Sequence, residues 1–266
     1  MTSKKPNQYL FEKCSSLKDI DDLRNQYLDG LIEPQELYLE LMVRNADAYA
    51  VILNDIRIGY FLLGEADALV EYYITQKHID LADEIFAKII QDFSICKALC
   101  KSFDHLLLSC CVGLQSKTSV LGIHFREYHP SPAIAKFSDV TVRQATSDDE
   151  KHIIEINEEV FDHDHEVLEY INKKQLLLFE KDGALIGFGI FSRVIEDKPD
   201  FDIGMLVVKD FRGQGAGQFI IGYMADYCIK NGWRPIAGCG VDNIGSRRCL
   251  EKAGFIAGYR ILAFDF

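Results

Sequence analysis

Arg212, Gly213, Gln214, Gly215, Ala216 and Gly217 stand between a strand-like run, DIGMLVV, and a helix-like run, QFIIGYMADYC. Glycines there let the backbone approach an anion closely, and the first turn of a helix offers N–H groups with no partner inside the helix. The helix dipole adds to them, so this arrangement can bind a pyrophosphate. A glycine-rich turn of this kind also occurs as a plain loop. The spacing is neither the Gly-x-Gly-x-x-Gly of dinucleotide folds nor the Gly-Lys-Ser/Thr of a P-loop.

Further along, Asn243-x-x-Ser246 is followed by Lys252-x-Gly254-Phe255. Together with Arg212-x-x-Gly215-x-Gly217, and in this order, these residues resemble the two acyl-CoA signatures of the GNAT superfamily of N-acetyltransferases. The resemblance implies an enzyme that takes acetyl-CoA as cosubstrate and moves its acetyl group to a primary amine by direct attack in a ternary complex. It implies that backbone groups of Leu206 and Val207 hold the thioester and pantetheine arm. Backbone N–H groups from Arg212 to Gly217 hold the pyrophosphate, and the Asn243 side chain, in one signature with Ser246, contacts the pantetheine arm. The final stretch, from Tyr227 to Phe255, also resembles the tandem-GNAT group that includes the zwittermicin-resistance acetyltransferase.

One position departs from the family. Many members carry a tyrosine two residues before the lysine as general acid for the departing thiolate, and here that position is Leu250. Cys249 is adjacent but is expected to point elsewhere on its helix, which leaves Tyr259 as the candidate acid. The amine must lose a proton before it attacks, so a base or a water chain is required. Asp202, where the family often has an acidic residue, is the candidate; an ordinary strand-edge carboxylate is its other reading. His163 and His165 in FDHDHE could relay protons or bind metal, or simply occupy a solvated loop. Cys96 and Cys100 have no second pair at zinc-ligand spacing, so no metal site is expected. Two rival functions stay open: a non-enzymatic acyl-CoA sensor, and transfer of a longer acyl group, as in the glycine N-acyltransferases the C-terminal half also resembles. The acceptor stays open among small amines, antibiotics, peptide termini and protein lysines.

The elements that must position these residues follow from periodicity. VTVRQAT reads as a strand and SDDEKHIIEINEEVF as a capped helix. LLLFEKDGALIGFGIFS reads as a hairpin turning at Asp182-Gly183. A strand, the helix ending near Gly232, the strand RPIAGCGV, the helix IGSRRCLEKAGF and the strand IAGYRILAFDF complete a mixed α/β sheet flanked by helices. The first half repeats the order: AYAVILNDIRIGYFLL parallels LLLFEKDGALIGFGIF, and ALVEYYI parallels DIGMLVV. After Ile74, however, TQKHIDLADEIF has no glycine, and Asp80, Asp83 and Glu84 would repel phosphate. The expectation is two tandem GNAT-like domains: a degenerate copy without a CoA cradle at 1–130, a Pro- and Ser-containing linker at 131–139, and a catalytic domain at 140–266.

Composition narrows the partners. The net charge of −12 argues against nucleic-acid binding, which needs a positive surface, and suits an amine acceptor or simply solubility. The longest apolar run falls far short of the ~20 residues of a membrane span. The eight cysteines mostly sit in apolar stretches and the opening MTSKKPNQYLFEKC lacks an apolar signal core, so a cytoplasmic, reduced chain is expected.

Overall fold

The computed structural model describes residues 9–131, 139–158 and 160–266, which fall into two compact units. The first unit runs to Gly122 and includes Tyr259–Phe266, while the second holds Ile123–Gly258. Except at its two ends, the linker expected at 131–139 lies outside the described residues.

Along the chain come β1 (Tyr9–Lys13), α1 (Asp21–Gly30), α2 (Leu37–Arg44), β2 (Asp47–Leu53), β3 (Ile56–Leu63), β4 (Leu69–Ile74), α3 (Ala82–Asp92), β5 (Lys97–Lys101) and α4 (His105–Leu114). Strand β6 (Lys117–Phe125) carries the chain across the boundary into the second unit. There follow β7 (Glu127–Tyr128), β8 (Val140–Gln144), α5 (Glu150–Ile156), α6 (Asp164–Asn172), β9 (Leu176–Lys181), β10 (Ala184–Arg193), β11 (Asp200–Val207), α7 (Ala216–Lys230), β12 (Arg234–Gly240), α8 (Ile244–Ala253) and β13 (Phe255–Ile256). The last strand, β14 (Tyr259–Asp265), belongs to the first unit, where it pairs antiparallel with β5 from Ile261↔Lys101 to Asp265↔Lys97.

Each unit is a mixed sheet with helices on both faces. In the first, the strands lie in the order β1-β2-β3-β4-β5-β14, antiparallel throughout except for the parallel step from β4 to β5. Ile85, Phe86 and Ile89 of α3 and Leu107 of α4 pack on one face. Leu23 and Tyr27 of α1 pack with Leu39 and Val43 of α2 on the other. In the second, the order is β12-β11-β10-β9-β8, again with one parallel step, from β11 to β12. Ile220, Ile221 and Met224 of α7 and Leu250 of α8 cover one face. Ile153 of α5 and Val167 and Ile171 of α6 cover the other. Among the described residues, no helix is long and apolar enough to cross a membrane.

The repeat read from the sequence has a steric signature. Gly59 on β3 faces Ile74, and a Cβ there would lie 2.2 Å from the Tyr73 carbonyl oxygen. Gly187 on β10 faces Val207, and a Cβ there would lie 2.2 Å from the Leu206 carbonyl oxygen. In both units, glycine is the residue that admits the following strand so closely.

The first unit also contains a buried polar network. Glu71 of β4 is fully buried and accepts hydrogen bonds from Arg24 at 3.1 Å, Gln35 at 2.8 Å and the Tyr60 hydroxyl at 3.0 Å. Arg24 also pairs with Glu40 of α2. Beside it, Lys101 donates to the Tyr27 hydroxyl, which donates to Asp104, each at 2.6 Å.

Candidate functional site

The second unit opens where β11 and β12 part. Their parallel ladder runs from Asp200↔Arg234 to Asp202↔Ile236 and stops there. Beyond that rung β11 continues to Val207 and β12 to Gly240, so the backbone of Met205, Leu206 and Val207 faces a cavity of about 960 Å³.

The floor of this cavity is set by glycine. After β11 a 3-10 turn (Lys209–Phe211) leads into Gly213 and Gly215, both left-handed, with φ of +73° and +96°. Gly215 is the N-cap of α7 and offers no side chain to the first-turn N–H groups. These donors therefore remain for an anion. Gly217, in the first turn of α7, packs so closely that a Cβ would lie 3.0 Å from Cys249 Sγ and 3.1 Å from Met205 Cε. Absent side chains at these positions keep the space between β11, α7 and α8 open.

Leu206, Val207, Arg212, Gly213, Gly215, Gly217, Asn243 and Ser246, all expected from the sequence, line this one cavity. Gln214 turns its side chain back to the Asp210 carbonyl, and Ala216 is buried against the core. Neither residue is among those that line the cavity, and their expected contribution is through backbone N–H groups alone. Asn243 is the N-cap of α8, and its Oδ1 accepts the Ser246 N–H at 2.9 Å. The cap fixes this amide at the cavity wall.

Cys249 requires a correction. It was expected to point elsewhere on its helix, yet it lines the cavity, while Leu250 is buried in the core. Burial pushes the Cys249 thiol up to about 11, with Lys252 pulling the other way. Tyr259 lies in the first unit, its hydroxyl donating to Glu33 at 3.4 Å and its ring edge-on to Phe103. It is not one of the residues that line the cavity.

Asp202 sits on the last paired rung below the parting of the strands, opposite Ser192 of β10. Alternation puts it on the face of Leu206, which packs with α5 and α6, and away from Met205 and Val207, which pack with α7. It lies at the base of the opening and does not itself line the cavity. His163 is the N-cap of α6 in a reciprocal capping box with Glu166, and its ring stacks on that of His165 at 5.4 Å. Among the described residues, no three His, Cys, Asp or Glu side chains converge as metal ligands.

The cavity's electrostatics went partly unread. Lys209, Arg212, Arg248 and Lys252 bring four cations to its lining, against the single carboxylate of Glu158. Arg248 and Lys252 lie four apart on α8, a spacing that places them on one face and was open to reading. Glu158, in the segment between α5 and α6, carries no such signal.

Comparison with known proteins matches residues 16–128 to the acetyltransferase (GNAT) domain and residues 142–255 to the acetyltransferase (GNAT) family. No curated protein sequence matches the chain. Among solved structures, a GNAT-family acetyltransferase from Colwellia psychrerythraea is similar at a TM-score of 0.86 and 19% identity, covering 97% of this chain and 99% of that one. A GCN5-related N-acetyltransferase from Sphaerobacter thermophilus follows at 0.64 and 14%, covering 98% and 97%. A tandem GNAT protein from the clavulanic acid biosynthesis pathway superposes at 0.56 and 12%, covering 97% and 98%. These identities establish a shared fold.

Proposed function

The chain belongs to the GNAT acyltransferases, with two such domains in tandem, and from that premise we propose that its second unit moves an acetyl group from acetyl-CoA to a primary amine. The observation that carries this reading is the parting of β11 from β12 above a glycine-built helix N-terminus, within one cavity. The likeness of the Tyr227–Phe255 stretch to the zwittermicin-resistance group belongs to the same reading.

In this reading the first-turn N–H groups of α7 and the cations around them hold the pyrophosphate. The β12-side edge of β11 at Met205–Val207, which β12 leaves beyond Asp202, takes the pantetheine arm as an added strand, and the Asn243 amide steadies it. The cosubstrate supplies an activated thioester. Asp202 attracts the incoming ammonium and takes its proton, directly or through water, so that the free amine attacks the thioester carbonyl within a ternary complex. The new C–N bond forms as the C–S bond breaks, and the electron pair leaves with sulfur. With Leu250 buried in the tyrosine position, the thiolate departs without a dedicated acid.

The first unit, in this proposal, binds no CoA. Helix α3 starts at a Leu81 cap with Asp83 and Glu84 in its first turn, and both carboxylates oppose a phosphate there. A buried leucine in the acid's position also favours a second reading, an acyl-CoA sensor without turnover. A panel of amines with acetyl-CoA, followed by thiol release, separates the two. Release that depends on an amine supports transfer, and CoA binding without release across the panel supports the sensor. Running longer acyl-CoAs in parallel decides the acyl group.

A further inference from the structure

Glu158 bridges two of the cations that line the cavity, Lys209 and Arg212. Its Oε1 meets Lys209 Nζ at 3.0 Å and its Oε2 meets Arg212 at 2.5 Å. Arg212 is at the same time tied by its Nε to the Val207 carbonyl at 2.8 Å, so the guanidinium is held at the end of β11 and the carboxylate is what it faces. Glu158 itself lines the cavity. Hydrogen bonds from Arg212 and then Lys209 hold its carboxyl below the usual range, so it is charged at neutral pH.

A carboxylate fixed between a lysine and an arginine presents two anionic oxygens to the same cations that a phosphate group would engage. A pyrophosphate entering the α7 N-terminus brings more negative charge to the same two cations. It meets Glu158 as a like charge and as a rival for them.

We propose that Glu158 is a built-in competitor for the phosphates of the acyl-CoA: its carboxylate holds Lys209 and Arg212 in the ligand-free chain and yields them when the pyrophosphate enters. The proposal rests on reading the cavity as the acyl-CoA site and adds a residue that sets its affinity. Glu158 lies in the segment between α5 and α6, so filling the cradle changes a contact made by that segment.

The test is Glu158→Gln in the full chain, with the dissociation constant of CoA measured by calorimetry and the melting temperature as a check of folding. Removing the charge should tighten CoA binding about threefold to tenfold, the size of one or two partly exposed ion pairs. Inorganic pyrophosphate should become a better competitor by a similar factor. In a Lys209→Gln/Arg212→Gln background the gain should shrink, since the carboxylate then has nothing to withhold. Weaker CoA binding in Glu158→Gln would mean that Glu158 positions the cations for the ligand, and an equal gain in both backgrounds would mean a general field effect. Either result overturns the proposal. Failure of the unaltered chain to bind CoA is a different result, and would remove the site itself.

Discussion

In the proposed reading, Asp202 is the residue on which the chemistry of the amine turns. Its rung is the last before β11 and β12 part, so a group there lies at the base of the opening, on the Leu206 face. Asp202→Asn keeps the shape and removes the charge. Without the carboxylate the ammonium loses its proton only as pH nears its own pKa, so turnover should fall at neutral pH and recover at higher pH. The neutral-pH loss should be about 10²–10⁴-fold, as for other general acid–base groups, with CoA affinity almost unchanged. Wild-type turnover across the whole pH range would make Asp202 a structural carboxylate. At this scale the glycines and Asn243 were legible because glycine and a capping amide leave local signatures. Cys249 was not, because one residue of phase on α8 decides which side chain meets the cavity and which, Leu250, meets the core.

At the scale of elements, strands and helices were legible wherever apolar periodicity was strong, as in β9, β10 and α7. The destination of β14 was not. IAGYRILAFDF alternates in the same way whichever sheet receives it, and only the long-range register with β5 assigns it to the first unit. The network around Glu71 was also hidden, since Arg24, Gln35, Glu40, Tyr60 and Glu71 are far apart in sequence and meet only in the fold. Arg24 is the cation that balances a fully buried carboxylate. Arg24→Ala should therefore cost about 3–5 kcal/mol of stability, measured by denaturant unfolding of the full chain. A loss below about 1 kcal/mol, typical of an exposed pair, would show that Glu71 does not depend on it.

At the scale of the whole molecule, the same fold occurs twice, and in the proposed reading only one copy takes a pyrophosphate. Both copies keep the glycine that admits the neighbouring strand, Gly59 and Gly187, so the duplication survives in backbone geometry. They differ at the helix after that strand: α7 starts at a left-handed glycine, and α3 at a leucine followed by two acids. The account predicts one acyl-CoA per chain. It further predicts none in Gly215→Val, where a β-branched side chain is forced into the left-handed backbone of the cradle. Calorimetric titration of the intact chain and of this variant with acetyl-CoA tests both at once, with circular dichroism to confirm folding. A stoichiometry of one that vanishes in the folded variant is the expected result. Two sites per chain, or unchanged affinity in Gly215→Val, would contradict it.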